Sequence, residues 1–161
     1  MKSTMWIPVL ALAFGASAWA DSSVQPTMSE EAYEAAEQRI EAEADARRAA
    51  CKRLPDKARD LCQLEAKGWE KVALARLHAE NEPSPESERA AKEAEADAAL
   101  AVAKERCESA GSKAKRKACV KRAEHEHEAA IRLAKVQKVE AMNALKAKAE
   151  KEARAQVGQR S

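Results

Sequence analysis

Apolar and small side chains recur along this chain at steps of three and four residues, the spacing that keeps them on one face of an α-helix. Tyr33, Ala36, Ile40 and Ala44 lead up to Cys51 on one stripe, and Cys62, Ala66, Trp69, Ala73 and Leu77 descend on a second. Three breaks interrupt the pattern. Leu54-Pro55-Asp56 stops a helix, because proline lacks an N–H and restricts the residue before it. Asn81-Glu82-Pro83-Ser84-Pro85 carries two prolines and reads as a linker. Ala110-Gly111-Ser112 places a glycine where helix C-termini favour one. Thr27-Met28-Ser29-Glu30-Glu31 is a start signal: hydroxyls that cap free N–H groups, then acids favoured by the positive end of the helix dipole. These marks predict helices over 29–53, 56–80, 86–109 and 113–155. An unstructured lead is expected over 21–28 and a frayed tail over 156–161. The last helix is long, about 60 Å at ~1.5 Å per residue.

The two halves read as copies of one unit. Glu41-Ala42-Glu43-Ala44-Asp45 recurs as Glu93-Ala94-Glu95-Ala96-Asp97, and a cysteine pair brackets a turn in each half. The second copy is four residues longer ahead of its first cysteine, close to one helical turn, so the side-chain face is nearly preserved. The expected architecture is all-α and elongated: two tandem disulfide-closed helical hairpins over 29–80 and 86–155, joined by a linker over 81–85, with a long C-terminal helix. Two copies are too few for a solenoid.

The first twenty residues stand apart. Met1-Lys2 supplies one positive charge, an apolar run follows from Met5 to Phe14, and small residues lead to Ala18-Trp19-Ala20 ahead of Asp21. That is the order of a cleavable secretory signal. The run is too short to span a bilayer, which takes ~20 residues. No cysteine follows the cleavage point, which argues against a lipid anchor, and no transmembrane segment is expected after cleavage. From Asp21 onward there are 28 basic and 27 acidic residues, so net charge gives no case for nucleic-acid binding. Leu, Ile and Val number 17 in that stretch, against 34 alanines. So little apolar bulk cannot build a sizeable globular core, whereas Ala, Glu, Lys and Arg are strong helix formers. Long, thin, solvated helices are the expected outcome.

Four cysteines, an even count in an exported chain, favour disulfides. Pairing within each turn, Cys51 with Cys62 and Cys107 with Cys119, is preferred because Pro55 and Gly111 interrupt the helices between them. The rival pairing keeps both cysteines of a pair on one helix and bonds them to a partner helix. Redox catalysis is disfavoured, since there is no C-x-x-C spacing. The unit of a cysteine, ten or eleven residues centred on a turn with Lys or Arg, a second cysteine and an Ala/Glu/Lys-rich helix resembles proteobacterial periplasmic proteins described as TolA-like cell-envelope proteins. The resemblance runs from Tyr33 to about Leu145 and rests on Cys51, Cys62, Cys107 and Cys119. It implies a periplasmic address and no activity. The TolA likeness is compositional, and TolA's membrane-anchoring helix is missing.

Other candidate sites are few. Lys113, Lys115, Arg116, Lys117, Lys121 and Arg122 form a basic cluster that could touch anionic envelope material such as phosphorylated lipid or wall polymer. The blander reading is a solvated helix start, neutralised by Glu124, Glu126 and Glu128. A zinc site from Cys107, Cys119, His125 and His127 is disfavoured, because residues two apart on a helix point ~200° apart and an oxidised cysteine cannot ligate. No metal or cofactor is expected, and nucleic acid is discounted for want of interleaved aromatics. Trp69 reads as the anchor of the first hairpin. Leu133, Val136, Val139, Met142 and Leu145 repeat every three residues, so this apolar line drifts ~60° per step and makes no coiled-coil seam. It is expected to wrap against another envelope protein or a second copy, the alternative being scattered apolar surface.

No Gly-rich loop or nucleophile motif suggests a hydrolase. The expectation is therefore a non-enzymatic exported structural or interaction protein of the bacterial cell envelope, with a client-holding periplasmic chaperone as the alternative. If the leader is cleaved as read, intact mass of the protein recovered from the periplasm should begin at Asp21; a species there that retains Met1 would refute cleavage.

Overall fold

The first, third and fourth helices start where a serine side chain accepts from a free N–H group, whereas the second starts at Pro55 without a side-chain cap. The computed structural model describes residues 26–158. The leader over 1–20, residues 21–25 of the lead and residues 159–161 of the tail lie outside them. Four helices follow in order: α1 (Glu30–Cys51), α2 (Asp56–Asn81), α3 (Pro85–Glu108) and α4 (Lys113–Gly158), with no strand among the described residues. Ser29 Oγ accepts from Ala32 N at the start of α1. Ser84 and Ser87 close a reciprocal capping box at the start of α3, with Pro85 in its first turn. Such caps satisfy N–H groups that the helix itself leaves unpaired.

Both cysteine pairs close within their own turns. Cys51–Cys62 and Cys107–Cys119 each hold Cα atoms 5.6 Å apart, across 11 and 12 residues of chain. Small side chains make that approach possible. Ala44 and Cys51 of α1 are fully buried against α2, where Ala66 and Leu77 are buried. In α3, Ala96 and Cys107 are buried on the side of α4, where Ala123 and Ala134 are buried, while Ala91 and Ala94 are buried on the opposite side, towards α2. The guanidinium of Arg47 stacks 4.1 Å above the Trp69 ring, and Arg48 pairs with Glu70 at 2.6 Å. Trp69 therefore fastens α1 to α2, half-buried between them.

The hairpins are not independent. The linker expected over 81–85 shrinks to three residues, since Asn81 ends α2 and Pro85 begins α3. It acts as a third turn, and α2 packs along α3 as each packs along its hairpin partner. Gly68 is the point of closest approach: a Cβ built there would lie 3.0 Å from Ala98 Cβ. Arg106 reaches Glu65 across this interface at 2.7 Å and Arg76 reaches Glu95 at 2.7 Å. No two helices apart in sequence come within 8 Å at any Cα pair, so the four form an open antiparallel layer and not a closed bundle. This topology puts both disulfide turns at one end of the layer and the α2–α3 turn at the other.

Three expectations need correction. Residues 26–28 were expected to be unstructured, yet Thr27 N donates to Asn81 O at 2.7 Å, Thr27 Oγ1 to Glu80 O at 2.6 Å, and Met28 N to Asn81 Oδ1 at 3.0 Å. The carbonyls left free at the end of α2 recruit the chain ahead of α1. Residues 156–158, expected to fray, continue α4 to Gly158. Gly111 does not end α3 in a left-handed conformation, because no glycine among the described residues has positive φ. Single tight turns, Ser109 N to Arg106 O and Ala110 N to Cys107 O, close that end instead.

Non-reducing peptide mapping should therefore recover Cys51 linked to Cys62 and Cys107 linked to Cys119. Replacing Cys51 and Cys62 by Ser should lower unfolding stability by about 2–3 kcal/mol, the scale for a loop of this length. Circular dichroism should show helix content largely kept, because alanine-rich helices draw on local propensity. Peptides linking Cys51 to Cys119 would refute the hairpins.

Candidate functional site

The candidate surfaces are built mainly by α4, which outruns the other helices. From Val139 to Gly158 every residue is exposed, a stretch of about 30 Å. The apolar line winds from the free side back towards α3: Leu133, Val136, Val139, Met142 and Leu145 are 40–57% exposed. Ala134 is buried against α3, and at ~100° per residue Val136 and Val139 stand on the opposite side of the helix. Leu145 has come back round towards α3. There it lines an open groove of about 520 Å³ with Pro83, Pro85, Ala141 and Ala144. Leu133, Val136, Val139, Met142 and Leu145 form one ridge of the i±3 kind, a shape that seats in the groove of a crossing helix.

The basic cluster sits at the opposite end of α4. Lys113, Lys115, Lys117, Lys121 and Arg122 are exposed and make no ion pair among the described residues. Arg116 turns back, half-buried, and Nη1 donates to Gly111 O at 3.1 Å. Two of the three acids expected to neutralise the cluster are engaged elsewhere, Glu124 with Lys104 at 2.8 Å and Glu128 with Arg132 at 3.5 Å, while Glu126 is exposed. The first turn of α4 contains no acid at all.

A polar cluster that the sequence reading missed crosses three helices. Lys71 Nζ of α2 donates to Asp97 Oδ2 of α3 at 2.8 Å, and His127 Nε2 of α4 lies 2.9 Å from Asp97 Oδ1. Lys71, then His127, holds the Asp97 carboxyl below its usual range. Asp45, at the same place in the first repeat, bonds Arg48 within α1, so the repeat alone did not reveal a bridging role. His125 points to solvent while His127 meets α3, as expected for residues two apart on a helix. Among the described residues no group of three or more His, Cys, Asp or Glu is arranged to hold a metal ion. Lys71, Asp97 and His127 tie the layer together on one face.

A second ionic knot fastens α4 near the α2–α3 turn. Glu86 meets both Arg89 and Lys138, which hold its carboxyl down to about 2, and Arg89 also meets Glu93 at 2.5 Å. A depressed acid stabilises the fold fully above its ordinary value of 4.5, and the contribution is lost as pH falls from there towards about 2. Glu86 is exposed, so the effect is modest. Melting temperature should hold steady above pH 4.5 and fall below it, and Glu86→Gln should flatten that acid limb; an unchanged limb would count against the knot.

The two disulfides are consistent with an oxidising, exported setting. Among the described residues no helix is long and apolar enough to cross a membrane. No family model matches this chain, and neither a curated protein nor a solved structure matches it.

Proposed function

We propose that this chain is a non-enzymatic scaffold or interaction protein of the bacterial cell envelope, exported to the periplasm by a cleaved leader over residues 1–20 and joined to its partner through α4. The observation that carries this reading is the unpartnered apolar ridge on α4. An open layer gives that ridge no internal helix to bury it, and α4 forms an edge of the layer, so most of the ridge faces outward. Contiguous exposed apolar residues rimmed by charge mark interaction sites. The two disulfides support the oxidising address. Helices closed covalently at their turns suit a rigid spacer better than a catalyst.

The same ridge supports a second reading, a chaperone that holds unfolded clients. The two differ in selectivity. A scaffold takes one partner, or a second copy, at fixed stoichiometry; a chaperone suppresses aggregation of unrelated denatured clients. Val136→Ser, Val139→Ser and Met142→Ser together should weaken the native association at least tenfold, the order expected for three lost apolar contacts, with unchanged helix content. Light scattering and affinity capture of the mature chain would read this. Capture that survives all three substitutions would overturn the α4 assignment, and suppression of aggregation of several unrelated clients would select the chaperone.

A further inference from the structure

The end of the layer that holds both disulfide turns is a second surface, independent of the α4 ridge. The sequence shows one basic cluster, but the topology builds a larger one. Because α2 packs along α3, the α1–α2 turn and the start of α4 share one end of the layer. At neighbouring-helix spacings of ~8–10 Å, four helix ends span about 30 Å. The first turn contributes Lys52, Arg53 and Lys57, all exposed and without an ion pair among the described residues. The second contributes Lys113, Lys115 and Lys117 in the same condition, with Lys121 and Arg122 one turn further along. Arg106–Glu65 locks the two hairpins side by side just behind this end.

Three further observations give the surface a direction. Lys113, Lys115 and Arg116 open α4 with no acid in its first turn, although cations are disfavoured at the positive end of a helix dipole. An external anion offsets that cost. Leu54 stands in the first turn between Arg53 and Pro55, 39% exposed, an apolar side chain at the tip of a charged surface. Acids predominate at the far end of the layer, where Glu30, Glu31 and Glu34 begin α1 and Glu80, Glu82 and Glu88 flank the α2–α3 turn, with Lys138 and Lys148 of α4 beside that turn. A molecule polarised in this way orients in a surface field.

We infer that the disulfide end docks on an anionic lipid bilayer, with the lysines and arginine of both turns at the headgroups and Leu54 at the acyl boundary. A bilayer fits better than a soluble polyanion, because a flat end with dispersed cations and one apolar tip matches an interface, and no aromatic side chain lies in either turn to stack on bases. Clustered Lys and Arg near an anionic surface each add appreciable binding. With the disulfide end on the membrane, α4 runs away from it and carries its ridge outward over a helix about 70 Å long.

The test is co-sedimentation of the oxidised mature chain with phosphatidylcholine vesicles, with and without phosphatidylglycerol. Binding should require the anionic lipid and should fall steeply with salt, as screened electrostatics does. Lys113→Gln, Lys115→Gln and Lys117→Gln together should lower partitioning by about 100-fold, and Lys52→Gln, Arg53→Gln and Lys57→Gln together by a similar factor. Leu54→Ser should lower it by about tenfold. The serine substitutions on α4 should leave vesicle binding unchanged, which separates this inference from the proposed scaffold role. Loss with only one of the two basic triplets would overturn the composite surface. Salt-insensitive binding would overturn its electrostatic basis. Polyphosphate binding that depends on the same lysines, with vesicles ignored, would overturn the membrane assignment. All substituted residues are exposed, and circular dichroism verifies that each variant is folded.

Discussion

Helices that meet through alanine approach closely but bury little apolar surface, and the rest of this structure answers that constraint. Ala44, Ala66, Ala91, Ala94, Ala96, Ala123 and Ala134 make up most of the buried core, with Leu77 the one large aliphatic side chain among them. At about 25 cal/mol per Å² such contacts give each interface only modest stability. Covalent closure at the turns makes up part of the difference by restricting the unfolded chain. Ion pairs across each interface set the register: Arg48–Glu70, Lys71–Asp97, Arg76–Glu95 and Lys104–Glu124. Individually such exposed pairs contribute little. Their value lies in number and placement, since every pair of adjoining helices has at least one.

The same thinness explains the open layer. Closing four helices into a bundle requires apolar bulk on a shared inner face, and alanine stripes cannot fill a central core. Each helix instead touches only its neighbours in sequence. An open layer has two edges and two ends, and the chain uses them differently. The α4 edge carries unpaired apolar side chains, the disulfide end carries unpaired cations, and the α2–α3 end carries carboxylates. Surface in this protein is abundant relative to core, which suits a function of contact. The polar cluster of Lys71, Asp97 and His127 is satisfied internally and exposed to solvent. It has the character of a clasp, holding three consecutive helices with one carboxylate.

Much of this architecture could be read along the chain. Helix boundaries fell within two or three residues of the breaks at Pro55, Pro83–Pro85 and Gly111, because proline and capping serines act locally. The disulfide partners followed from those breaks, since a chain reversal between two cysteines decides which helix ends meet. The buried stripes of α1 and α2 followed from helical periodicity alone. Gly111 shows the limit of such arguments: the residue fits the break, but its backbone conformation is one that any residue adopts.

What the sequence by itself determined was everything set by spacing of a few residues: helices, turns, covalent closure and the faces that turn inward. The tertiary structure alone decided what depends on pairing across distance. Nothing local in Gly68 announces that α2 must pass within a methyl group of α3, because the reason for the missing Cβ, Ala98, lies thirty residues away. Asp97 and Asp45 have identical local sequence, yet only Asp97 has helices on both sides to bridge. Lys52, Arg53 and Lys57 join the cluster at the start of α4 only because α2 and α3 pack side by side. Local propensity acts over one helical turn, whereas charge and packing act through space; the apolar line of α4 is legible along the chain, but that no helix covers it, and that two basic turns adjoin, belong to the second kind.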